Sequence, residues 1–337
     1  MAEKSKNKHK WVKSVLIPLT IAVVISIALI ITNIFIPVKY FTAYLVRAQN
    51  RVEGELRVDF LNVGFGDSTL VELPDGKIML IDGGDGAYKN ELSLLKYLNS
   101  RGVDCIDFLI CTSVNGEHCG GLTEIVKYKP VKKAFIPYSA NTRITKEYYS
   151  LISELKLKSV DYEYASIGKG YCDGQNELFF TFLSPSSEHS KQSEYAKMNA
   201  NPTNANIEAA SIVTWLQYKG TAFAFTSDAH SLTLQSITER YELSKQMNES
   251  FCKIGDFSVQ LEDCRVVTVA AHGGADNTYA PWYDIISPDC AIVSVGENFA
   301  SLPSSIALAD VCAHVEPIYT QEKGNIVIRV SKDGRIV

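Results

Sequence analysis

Apolar and polar positions follow two rhythms along this chain, after one uninterrupted apolar stretch. From Ser14 to Val38 no charged residue occurs, and Lys13 and Lys39 bracket a run made mostly of Val, Ile, Leu and Ala. About 20 such residues span a bilayer core, so residues 14–38 are expected to form a transmembrane helix. Pro18 and Pro37 sit near its ends, where a helix tolerates them. The rival reading is a cleaved signal peptide, whose apolar region is usually about 7–15 residues.

Beyond a linker at 39–55, short strand-like runs alternate with helical patterns. LRVDFLNV (56–63), STLVEL (68–73) and KIMLI (77–81) are separated by Gly, Pro and Asp, the punctuation of turns. Leu92, Leu95 and Leu98 then share one helical face, closed by Gly102. Strand DFLIC (107–111) leads through a polar loop to a helix with Leu122, Ile125 and Val126. A further helix starts near Thr145 with Tyr148, Leu151, Ile152 and Leu155 on one face. Residues 184–206 are rich in Ser, Asn, Pro and Lys and read as an irregular loop. Strands return at 211–218, 221–226, 265–271, 290–295 and 325–330, with helices near 231–246 and 303–313. The pattern predicts two strand-then-helix halves joined by the polar loop, their sheets facing each other with helices outside.

The 337 residues are 46% apolar and 21% charged, which excludes a disordered or low-complexity chain. Charge is unevenly placed. Residues 1–13 carry five lysines against Glu3, a local +4, leaving −9 for the rest of a chain that totals −5. Lysines ahead of the apolar run predict a cytoplasmic tail at 1–13 and a single-pass protein whose body, 56–337, lies on the other side of the cell membrane. An acidic body argues against a nucleic-acid partner gripped by charge. The eight cysteines form no CxxC pair; an extracytoplasmic domain would permit disulfides, while Cys111, Cys290 and Cys312 sit in apolar runs as small core residues.

Three segments carry candidate chemistry. In VDFLNVGFGDSTLVELPDGKIMLIDGG (58–84), Gly64 and Gly66 allow a tight turn before Asp67, and Asp82 ends a strand. In LICTSVNGEHCGGL (109–122), a strand-to-helix loop presents Ser113, Asn115, Glu117 and His118. AFTSDAH (224–230) and TVAAHGGADN (268–277) place Asp228 and His272 directly after apolar strands. Singly each is ordinary; together Glu117, His118, Asp228 and His272 are strand-end groups of the types that ligate a metal.

These motifs resemble those of the metallo-β-lactamase fold family, and in particular the metallo-β-lactamase-like domain of the ComEC-type DNA-uptake competence protein. That family carries a pattern like FLDVGQGDSxLIxxPxGxxxLIDGG, matched nearly throughout by residues 60–84. It continues with THPHADHIGGL, LLTGD, HHGS and AxISxGxxN, the last echoed by CAIVSVGEN at 290–298. The resemblance implies an αββα sandwich with two zinc sites at the sheet mouths. It also shows an eroded motif. Ser113 and Asn115 stand at the first two histidines, Glu117 at the aspartate, Ala271 at the first histidine of HHGS, and Leu302 at a later histidine. Asp67 and Asp82 are expected to support the ligands rather than bind. A hydroxyl and an amide are poor zinc ligands, so the first site should be lost and one zinc or none remain, held by Glu117, His118, Asp228 and His272.

Hydrolysis by such a site runs through metal-bound water, so a phosphodiester or other ester hydrolase with one metal is one reading. A catalytically inactive module that holds a small-molecule or protein ligand in the old cleft is another, and a competence role is a third. His189, in the polar 184–206 loop, and His230, two residues past Asp228, could replace a missing ligand, but a solvated loop histidine is the expected reading of His189 and His230 is equally suspect.

Overall fold

The computed structural model describes residues 15–35, 43, 45, 51–138, 145–186, 211–297 and 301–337. The basic tail 1–13, much of the 39–55 linker and most of the 184–206 loop, His189 included, lie outside the described residues. The chain divides into two compact units, Met1–Arg47 and Ala48–Val337.

In the first unit, Ile17–Phe35 forms a 19-residue helix, α1, within the expected 14–38 span. Many side chains in its second half lie outside the described residues. Among those that are described, no helix is long and apolar enough to cross a membrane.

The second unit is built on two seven-stranded sheets. The first has the order β14-β1-β2-β3-β4-β5-β6, made of Ile326–Val330, Leu56–Phe60, Thr69–Glu72, Ile78–Ile81, Ile106–Ile110, Val131–Ile136 and Asp161–Tyr164. The second has the order β13-β12-β11-β10-β9-β8-β7: Ile318–Tyr319, Cys290–Val293, Cys264–Thr268, Thr221–Phe225, Val213–Tyr218, Leu178–Ser184 and Gly170–Asp173. The sheets therefore divide between β6 and β7, and β14 returns to the first sheet beside β1. In sequence the polar segment falls between β8 and β9, both strands of the second sheet, so it does not separate the two sheets as the pattern predicted.

β3 to β6 are mutually parallel, as are β10 to β13. Parallel neighbours need crossovers, and right-handed crossovers place the connecting helices on one face of a sheet. The first sheet's helices are α2 (Tyr88–Ser100), α3 (Gly116–Cys119), α4 (Leu122–Tyr128) and α5 (Lys146–Leu157). The second sheet's are α6 (Ser231–Met247), α7 (Ala280–Ile286) and α8 (Ser305–Cys312), with the short α9 at Thr320–Lys323. α5 starts where the sequence places it, because the Thr145 hydroxyl accepts from Tyr148 N at 3.2 Å and caps the first turn.

Val58, Phe60, Phe135, Phe180, Phe182, Phe223 and Phe225 are buried in one cluster drawn from both sheets. Ring centroids meet across the interface at 5.0 Å for Phe135–Phe182 and 5.1 Å for Phe108–Phe180, distances favourable for aromatic pairs. A second core of Trp215, Tyr241, Trp282 and Val311 seals helices onto the other face of the second sheet. With apolar layers both inside and outside, the parallel strands open their C-terminal ends at one mouth, where an α/β sheet places its ligands.

Candidate metal centre

Each side chain at that mouth is delivered by a strand end. Asp82 follows β3, the loop 112–118 follows β4, Ser227 and Asp228 follow β10, and His272 follows β11. Asp82, Ser227, Ala271 and His272 all have positive φ, between 45° and 58°. Such strain in non-glycine residues costs energy and persists where the surroundings over-determine it, commonly at functional sites. Ala271 N donates to Ser227 O at 2.7 Å, tying two of these turns together. The 58–84 segment closes tightly beneath the loop: a Cβ on Gly66, whose φ is +136°, would come within 2.3 Å of Glu117 O. Only glycine allows that approach.

Glu117, His118, Asp228 and His272 each place a ligand atom within 4.8 Å of the others. The extra methylene of Glu117 therefore does not carry its carboxylate out of the cluster. His118 is fully buried; its Nδ1–H donates to Asp82 Oδ2 at 2.9 Å, and its Nε2 meets Asp228 Oδ1 at 2.8 Å. Asp82 is itself fixed by Thr112, whose backbone N donates to Oδ1 at 2.7 Å and whose hydroxyl donates to Oδ2. That hydroxyl also accepts from Ser227 at 2.6 Å, stitching the two sheets together behind the cluster.

His272 is oriented in the same way. Its Nδ1–H donates to Ser294 O at 2.7 Å, while its buried Nε2 has no hydrogen-bond partner. The Phe65 ring lies 4.7 Å from it, and the two imidazoles stack 5.7 Å apart.

The electrostatics belong to one coupled group. Burial opposes a charge on His118, but the Asp228 and Asp82 carboxylates outweigh it and hold the imidazolium well above its usual range. Burial would also raise Asp228; the facing His118 charge instead pulls it below the usual carboxylate range. Asp82 is raised, because for it burial outweighs the same imidazole.

The positions of lost ligands have taken up other work. Ser113 is buried and accepts from Asn115 N at 3.2 Å. The Asn115 amide donates to Asp228 Oδ2 at 2.8 Å, occupying the oxygen that His118 leaves free. Leu302 packs against the apolar core. His230 caps α6, accepting from Leu232 N, and is not a ligand of the cluster. Asp67 stands 3.7 Å from His118 Nδ1, beside the cluster. Thr112 and Ser227 escaped the sequence reading, although each is a hydroxyl placed directly after a strand in the motifs CTSV and TSDA.

A metal fits the residues present. Two imidazoles have Nδ1 tied to an acceptor and Nε2 turned into a cluster with two carboxylates, the outer-shell arrangement that sets a ligating histidine. The donor set, N and O with no thiolate, suits zinc or a similar transition ion.

Two face-to-face mixed sheets, helices outside, and histidine and carboxylate groups at the strand mouths form a mixed α/β two-sheet fold consistent with the metallo-β-lactamase fold, and the metal motif keeps two of the six histidines in that family's pattern, His118 and His272. Its sequence is similar to ComE operon protein 3 of Bacillus subtilis (strain 168), at 23% identity over 261 residues, 73% of this chain. The match spans only 29% of that relative's length. No family model matches the chain. Among solved structures it is similar to the CmlA β-hydroxylase E377D mutant, at 11% identity and a TM-score of 0.46, covering 83% of this chain and 55% of that one. It is similar also to Zn(2+)-bound PqqB from Methylobacterium extorquens, at 11% identity and a TM-score of 0.42, covering 81% and 87%. A third likeness is to the Rm3 metallo-β-lactamase, at 14% identity and a TM-score of 0.32, covering 64% and 81%.

Proposed function

We propose that this chain is a one-metal hydrolase of phosphodiester or other ester bonds, with the ion held by Glu117, His118, Asp228 and His272. The observation that carries the reading is the pair of oriented imidazoles, above all the buried His272 Nε2 that no protein group satisfies. When bound, the ion supplies Lewis acidity and activates water. The chain's own groups do the rest. Asp82 and the Ser294 carbonyl fix each imidazole tautomer, Asn115 holds one Asp228 oxygen, and Phe65 shields His272 from bulk water. The apolar run 14–38 and the lysine-rich tail support an anchored body facing away from the cytoplasm.

One observation favours a second reading, a non-catalytic binding module: His118 and Asp228 already satisfy each other at 2.8 Å. The competence role implied by the ComEC-type resemblance has less support, since the −9 charge of residues 14–337 repels nucleic acid. The test is hydrolysis of bis(p-nitrophenyl) phosphate and p-nitrophenyl acetate by the full chain in detergent, with zinc and with chelator. The hydrolase reading expects zinc-dependent turnover of one of the esters that His118→Ala abolishes. Zinc binding without turnover of either ester gives the binding module instead.

A further inference from the structure

A groove of 620 Å³ runs between α4 and α5, and none of the residues lining it belongs to the metal cluster. Most polar groups on its walls are already spent. Ser150 and Ser153 donate back along α5 to Lys146 O and Tyr149 O, both at 2.8 Å. The Thr145 hydroxyl donates to Val114 O at 2.5 Å. Lys127 pairs with Glu124, and Lys146 Nζ stands 3.5 Å from Glu147 Oε1.

Two groups are left over. Glu154 lines the groove and is only 9% exposed, and among the described residues no hydrogen bond or ion pair reaches its carboxylate. The Thr123 hydroxyl, on the facing helix, is buried with no hydrogen-bond partner. Since each lysine on the walls has its own carboxylate, Glu154 is the groove's uncompensated charge. Buried polar groups are normally satisfied, and a carboxylate left unpaired calls for a cation.

We propose that this groove binds a primary alkylammonium ion, its nitrogen held by Glu154 and Thr123 and its alkyl chain laid along the ring of Tyr149. The donor count selects this class of ligand. An ammonium group has three N–H donors and no acceptor, matching two carboxylate oxygens and one hydroxyl oxygen. A guanidinium would bring five donors and leave two unmet, and calcium or magnesium would demand at least six oxygen ligands. Tyr149 lines the same groove one helical turn before Ser153 and is 68% exposed, so its face is free for methylene and cation–π contact. The site needs no metal at the cluster.

The full chain in a non-ionic detergent is titrated with butylammonium chloride by calorimetry, with butanol, sodium butyrate and potassium chloride as controls. Hydrogen exchange locates the bound amine. The expected result is saturable binding of about one ammonium per chain, at least about tenfold weaker in Glu154→Gln, with slowed exchange over 122–128 and 145–157. Because Glu154 has no partner to lose, Glu154→Gln should unfold at the same urea concentration as wild type or higher. Cadaverine and Nα-acetyl-lysine amide carry the same amine free and on a peptide backbone, and the tighter of the two identifies its source. Absence of saturation, equal binding by Glu154→Gln, or equal affinity for potassium overturns the proposal. So does protection confined to other segments, or a lowered urea midpoint in the variant, which would reveal a partner for Glu154 within the protein.

Discussion

Replacing Asp82 by Asn tests how the cluster holds its histidine. The change keeps shape and volume at a fully buried position, so the sandwich should persist. It removes one acceptor from a site where every neighbour donates: Thr112 N at 2.7 Å, the Thr112 hydroxyl, and His118 Nδ1–H at 2.9 Å. If the new amide turned its NH2 toward Thr112 N, two buried donors would oppose each other at 2.7 Å. The amide therefore keeps its oxygen on Thr112 N and turns its NH2 toward His118 Nδ1. That nitrogen must then accept, the proton moves to Nε2, and the lone pair that would ligate the metal is gone. Loss of such an outer partner costs about 10–100-fold in metal affinity, roughly 1.4–2.7 kcal/mol. Competition against a chromogenic zinc chelator measures this, and 15N shifts of His118 report the tautomer. An affinity within about twofold of wild type, with Nδ1–H retained, would refute the reasoning.

Other consequences follow from the same contacts. In the metal-free chain His118 is held charged, so its share of stability is fully present below its unfolded value near 6.5 and is lost as pH rises through the raised folded value; urea titrations across that range should show the decline. Zinc must displace the Nε2 proton, so its affinity should rise with pH, with about one proton released per ion in calorimetry across buffers of different ionisation enthalpy. Gly66→Ala should push Glu117 O aside and weaken zinc binding about tenfold or more, read by the same chelator competition. Phe223→Ala, deep between the sheets, should cost about 3–5 kcal/mol in denaturant unfolding without moving any ligand. Arg101→Ala should cost about 3–5 kcal/mol, because it strands the buried Glu72 carboxylate that Nε and Nη2 hold at 2.7 and 2.9 Å.

Much of this was legible from residue order. Asp82, Asp228 and His272 each directly follow an apolar run, and strands of alternating or buried character announce where such groups emerge. The middle of the sandwich was not legible. LFFTFLS is buried along its whole length, so β8 shows no alternation. In β5, Lys133 interrupts the apolar pattern because it reaches Glu163 on the neighbouring strand at 2.7 Å. Neither signal is local, and without them the sheet boundary falls in the wrong place. The four cluster residues were legible, but the partners that hold them were missed for the same reason. Asn115 looks like a lost ligand until Asp228, 113 residues away, is seen to receive its amide. His230, suspect as a spare ligand, is spoken for by its own helix.

Metal content tests the account most directly. The full chain, purified in detergent, loaded with zinc and dialysed, should retain about one ion per chain, and His272→Ala should lose it while keeping its fold. Retention of less than about a tenth of an equivalent, or of two ions per chain, would contradict a centre that keeps one site and has lost the other.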